Sequence, residues 1–71
     1  MRKNVKHLMI ERDLSYKTMG ELLGYTPQYI GRIANGQSDG TYKFWQTFKE
    51  KLNIPDCDME KYRTKEHNNI G

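Results

Sequence analysis

Gln28 and Arg32 stand four residues apart, a spacing that puts both side chains on one face of a helix. Their chemistry suits the edges of nucleic-acid bases. A glutamine amide donates and accepts at once and matches the N6/N7 edge of adenine, while an arginine fork matches the O6/N7 edge of guanine. The bland alternative is that both are plain solvated helix residues. Other reactive side chains assemble nothing comparable. Cys57 is the single cysteine, so no internal disulfide can form, and with only His7 and His67 beside it no metal-ligand spacing arises. Without a glycine-rich phosphate loop or a nucleophile with its base, an enzymatic role finds no residues, and no cofactor is expected. Cys57 reads as a small apolar filler, in keeping with an intracellular compartment.

The elements that must position Gln28 and Arg32 lie between Ser15 and Gly36, in SYKTMGELLGYTPQYIGRIANG. The pattern predicts two short helices joined by a tight turn at Gly24-Tyr25, with Leu22, Leu23, Ile30 and Ile33 pointing inward. Thr26 suits the N-cap of the second helix, since its hydroxyl can accept from a first-turn amide, and Pro27 suits the next position, where a missing N–H costs nothing. Gly24 is the natural stop for the first, in a left-handed conformation that glycine reaches cheaply. Gly20 sits mid-helix at a cost of roughly 1 kcal/mol against alanine. Close approach of the neighbouring helix is the expected compensation. Two helices joined in this way form the helix-turn-helix unit, whose second helix can enter the major groove of DNA.

The rest of the chain supplies support. Val5, Leu8 and Met9 share a stripe with Arg12 and predict a first helix over about 4–12, preceded by a basic arm. Arg2 and Lys3 in that arm either wrap a phosphate backbone or do nothing. Leu14 plugs the junction before Ser15, which caps a second helix over about 16–23 that buries Met19. The third helix covers about 27–35, and Gln37, Ser38, Asp39 and Gly40 form a polar loop. Thr41 caps a fourth helix, about 42–52, whose Phe44, Trp45, Phe48 and Leu52 read as core rather than as a platform for stacked bases. Ile54-Pro55 interrupts the chain, and a weaker fifth helix follows to Arg63 with Met59 and Tyr62 on one side. Residues 1–63 thus form one all-α domain of five short helices. The polar tail, 64–71, lacks periodicity and is expected to fray.

Composition agrees with this reading. Seventy-one residues allow one small core, and a mean hydropathy of −0.99 requires a few large side chains to build it. The longest apolar run, Leu8-Met9-Ile10, is too short for a membrane span or a signal peptide, so neither is expected. The formal charge is +3, and its placement is informative: residues 1–52 hold nine Lys/Arg against five Asp/Glu, while 53–71 hold three against four. The positive surplus travels with the paired helices, as a phosphate-binding surface requires. An ordinary basic surface would look the same.

Across residues 4–62 the chain resembles the lambda-repressor-like family, the Cro/CI or XRE-type regulators of phages and bacteria. The likeness rests on Leu14 before the second helix, Gly20 within it, Gly24 at the turn, Thr26 as cap, Ile30 with Ile33, and Asn35-Gly36 at the end. Two positions depart from the pattern. Met9 and Ala34 stand where many relatives carry an Arg–Glu ion pair, a pair that apolar packing can replace when both partners go together. Tyr16 stands where relatives usually have a glutamine that bonds a phosphate and braces the next helix.

The resemblance implies a five-helix DNA-binding domain whose groove-facing residues are Pro27, Gln28, Tyr29, Gly31 and Arg32. Tyr29 would pack on a thymine methyl or reach a phosphate, and Gly31 would let the helix sit deeper. Phosphate contacts are expected from Tyr16, Lys17, Thr26, Asn35, Gln37, Ser38 and Lys43, each at a helix start or in the loop after the third helix. Lys17 and Lys43 lie in first turns, where a cation is locally unfavourable and a nearby phosphate would offset the cost. The expected activity is sequence-specific double-stranded DNA binding by a cytoplasmic, prokaryotic or phage-encoded regulator, a Cro/CI-like repressor acting as a homodimer on a two-fold operator. Its dimer surface is expected at Ile54, Pro55, Met59 and Tyr62, and pairing could be completed on DNA. No small-molecule ligand is expected. An antitoxin, or a helical adaptor that binds only protein, are the rival readings.

Overall fold

Three hydroxyl caps set where helices begin. Ser15 accepts from the amide of Thr18 at 3.1 Å while Thr18 Oγ1 accepts from the amide of Ser15 at 2.8 Å, a reciprocal box that starts α2, Tyr16–Leu23. Thr26 Oγ1 takes the Tyr29 amide at 3.1 Å and starts α3, Pro27–Ala34, with Pro27 in its first position. Thr41 Oγ1 takes the Phe44 amide at 3.0 Å and starts α4, Tyr42–Leu52. The first helix, α1, runs Lys3–Glu11, one residue earlier than the periodicity suggests, and α5 runs Asp56–Arg63 after Pro55. These elements come from a computed structural model that describes residues 1–64. It is all-helical, five short helices with no strand among the described residues, and no helix is long and apolar enough to cross a membrane.

Backbone turns of positive φ close α2 and α4. Gly24 has φ 84° at the end of α2, and Asn53 has φ 58° at the end of α4, where the Ile54 amide reaches back to the Lys49 carbonyl at 2.9 Å. Asn is among the few side-chain-bearing residues that take this conformation readily. Asn35 ends α3 as its C-cap rather than as its last residue.

The paired helices α2 and α3 pack on each other, α4 lies against α2, α1 contacts α3 and α5, and α5 closes on α4. Their shared core holds Val5, Leu8, Met9, Met19, Leu23, Ile30, Ile33, Ala34, Phe44, Trp45, Phe48 and Leu52, with Leu14 packed at its margin as expected. The aromatic stripe of α4 is core: Phe48 meets Trp45 at 5.2 Å and Tyr62 at 5.5 Å between ring centroids. Met9 and Ala34 are both buried, so no charge is stranded where the two helices meet.

Two side chains expected to point inward are exposed. Leu22 is 41% exposed instead of inward. The buried face of α2 is Met19, Gly20 and Leu23, and Leu22 sits roughly a third of a turn from its centre. Gly20 pulls that face round, because a Cβ there would strike the carbonyl oxygen of Tyr25. The close approach that excuses this glycine is thus the turn's own backbone, not the neighbouring helix. Cys57 is exposed and fills nothing. It lies two residues before Met59, on the side of α5 that faces away from the core.

Candidate nucleic-acid interface

The outer side of α3 begins from its cap. Thr26 consumes the Tyr29 amide and Pro27 has none, which leaves the Gln28 amide as the free first-turn donor at this helix start. One turn on, Arg32 projects from the same side, and both Gln28 and Arg32 are exposed. Neither is walled off by the protein's interior. An open depression of about 460 Å³ gathers Tyr16, Pro27, Gln28, Gly31, Arg32, Asn35 and Gln37 on one surface. Four of these are expected base readers and three are expected phosphate contacts, drawn from α2, α3 and the loop behind it.

Gly31 and Tyr29 do not sit as expected. Gly31 is buried, because the Tyr16 ring lies over it: a Cβ on Gly31 would stand 3.4 Å from Tyr16 Cε2. Tyr16 is therefore itself a brace between the start of α2 and the middle of α3, a role sequence left in doubt, while remaining 38% exposed. Tyr29 turns sideways and is half-buried, stacked on Tyr25 at 5.0 Å and edge-on to Phe44 at 5.5 Å. Its ring belongs to the aromatic packing between α3 and α4 and does not line the depression.

The remaining expected phosphate contacts divide. Lys17, Thr26 and Lys43 are exposed beyond the rim. Among the described residues the ion pair is Lys49–Asp56, at 3.3 Å, and no carboxylate pairs with Lys17, Arg32 or Lys43. Ser38 is half-buried and committed inward, its hydroxyl accepting from the Gly40 amide at 3.3 Å and its carbonyl from Arg2. Of the expected dimer residues, Ile54, Met59 and Tyr62 are buried in this chain's own core and only Pro55 is exposed. Met59 and Tyr62 do share one side of α5, and that side is spent on this chain's own core, where α5 meets α1 and α4.

Arg2 is the residue that sequence reasoning missed. Placed in a basic arm, it is 2% exposed, buried behind α3. Its amide donates to the Ala34 carbonyl at 2.8 Å. Its Nη1 donates to the carbonyls of Ile33 and Ser38, both at 2.7 Å, its Nη2 to Asp39 at 3.3 Å, and its Nε to Arg63 at 3.1 Å. The guanidinium carbon lies 5.2 Å from the centroid of the Trp45 ring. Burial lowers its pKa from the usual arginine value, and the negative charge of Asp39 acts in the opposite direction. Lone charged residues near a terminus read as solvated, so composition carried no signal. The orphan carbonyls at the end of α3 were the only hint.

Comparison with known protein families, with curated proteins and with solved structures gave no match to this chain.

Proposed function

We propose that this chain is a sequence-specific double-stranded DNA-binding regulator of the lambda-repressor-like kind, with α2 and α3 as its helix-turn-helix unit and α3 as the helix that enters the major groove. The observation that carries the reading is the single surface on which exposed Gln28 and Arg32 are flanked by Tyr16, Asn35 and Gln37. Gln28 and Arg32 read base edges, one turn of helix apart. Pro27 gives apolar contact. Tyr16, Asn35, Gln37, Lys17, Lys43 and the Thr26 hydroxyl hold phosphates on either side and set the register of the helix.

An eight-residue helix spans about 12 Å, the rise of only a few base pairs. Useful specificity therefore calls for two copies on a two-fold operator, with half-sites about 34 Å apart. Such a pairing must use exposed residues such as Pro55 rather than Ile54, Met59 and Tyr62. Repression follows from occupying a promoter, in a cytoplasmic setting.

The test is selection of bound duplexes from a random pool, followed by titration of the winner with salt. A DNA binder enriches a common sequence and loses affinity steeply as salt displaces it from phosphates. A protein-only adaptor enriches nothing and has no duplex affinity at low salt, and that result would falsify the proposal.

A further inference from the structure

Four segments meet at the Arg2 guanidinium: the start of α1, the end of α3, the loop 36–40 and the end of α5. Every acceptor is a main-chain carbonyl. Two of the segments, the end of α3 and the loop, also carry Asn35 and Gln37, which are exposed and line the depression beside Gln28 and Arg32. The loop's other hydrogen bonds run from the Gly36 amide to the Ile33 carbonyl at 3.1 Å, from the Gln37 and Ser38 amides to the Arg32 carbonyl at 2.8 and 3.3 Å, from the Gly40 amide to the Ser38 hydroxyl at 3.3 Å, and from Trp45 Nε1 to the Asp39 carbonyl at 3.0 Å, so beyond its own residues it is tied to α3 and to α4. Asp39's carbonyl thus accepts from both Trp45 and Arg2. Gly40, at φ 76°, leaves room for this, since a Cβ there would stand 2.8 Å from Trp45 Nε1.

A positive charge at the last turn of a helix also complements its dipole, and a buried charge is tolerable when its donors are satisfied. Four of the guanidinium's N–H donors are satisfied here, in a planar fork that a lysine ammonium does not reproduce.

We propose that Arg2 is a positioning residue for the α3 surface: it locks the end of α3 and the 36–40 loop in the geometry that presents Asn35 and Gln37 to a phosphate backbone, and does not itself touch the nucleic acid. This rests on the DNA-binding reading above. It separates the two basic residues of the arm, giving Arg2 an internal task and leaving exposed Lys3 to solvent.

The experiment compares wild type, Arg2→Lys and Arg2→Gln for affinity to the selected duplex across a salt series, with circular dichroism to verify folding and amide exchange read over residues 35–40. Both variants are expected to lose about tenfold or more in affinity, to speed exchange at 35–40, and to keep the wild-type salt slope, because no phosphate contact is removed. If Arg2→Lys binds like wild type, the clasp role is overturned, and if Arg2→Gln lowers the slope by about one, the role is overturned in favour of a phosphate contact. Wild type alone supplies a second measurement if the variants fail to fold. Its Arg2 Nε–H signal is expected to exchange slowly and to shift little on adding duplex, while that of Arg32 shifts. A fast-exchanging Arg2, or one shifted as far as Arg32, overturns the role. A wild-type chain without duplex affinity overturns the proposed function itself, whereas a binding wild type with unaffected Arg2 variants overturns only the clasp.

Discussion

The Tyr16 ring covers Gly31, closing the space where the middle of α3 would otherwise lie bare. The contact joins the first residue of α2 to α3 across the turn. It also gives Gly31 a reason independent of any ligand: the position is roofed by this protein's own side chain, at a distance where a methyl group makes ordinary contact.

Gly31→Ala is therefore expected to raise stability by about 0.5–1 kcal/mol through helix propensity, and to leave duplex affinity nearly unchanged. Thermal unfolding and a binding titration check the two halves. A large loss of affinity with intact stability would mean that Gly31, not Tyr16, forms the floor of the binding face.

At Gly20 the same substitution should act in reverse. Helix propensity alone favours alanine by about 1 kcal/mol, yet the added Cβ strikes the Tyr25 carbonyl, which is backbone and cannot swing aside. Gly20→Ala is expected to destabilise by about 1–3 kcal/mol, measured by urea unfolding. A gain in stability would show that the turn does not press on α2 as described.

Readers and positioners should separate by mutation. Arg32→Ala is expected to weaken the selected duplex and to relax preference at one base pair by about 1–3 kcal/mol. Lys43→Ala should instead weaken all duplexes alike and reduce the salt slope by about one. The two variants, assayed on selected and random duplexes, must behave differently. Identical behaviour would leave the division of roles without support.

Cys57 offers a check on α5. Exposed on the outer face, the thiol should react fully with a thiol reagent under native conditions, and Cys57→Ser should shift stability by less than about 0.5 kcal/mol. A protected thiol would mean that α5 is rotated and that Met59 and Tyr62 do not face the core.

Sequence by itself determined the helices, because their ends are written in local chemistry. Ser15, Thr26 and Thr41 cap through hydroxyls only three residues from the amides they serve, and Gly24 and Pro27 act through their own backbone. It also determined most of the core, since helical spacing alone puts Phe44, Trp45, Phe48 and Leu52 on one side. It named Gln28 and Arg32 as an exposed pair for the same reason. Only the tertiary structure decided where one segment meets another. Arg2 is buried because the end of α3, a loop and the end of α5 bring carbonyls to it from residues 31 to 61 positions away. Leu22 is exposed because the turn's backbone occupies the side of Gly20, and Tyr29 leaves the outer face because Tyr25 and Phe44 arrive beside it. Periodicity fixes which side chains share a stripe. Which way that stripe faces depends on what the rest of the chain places against it.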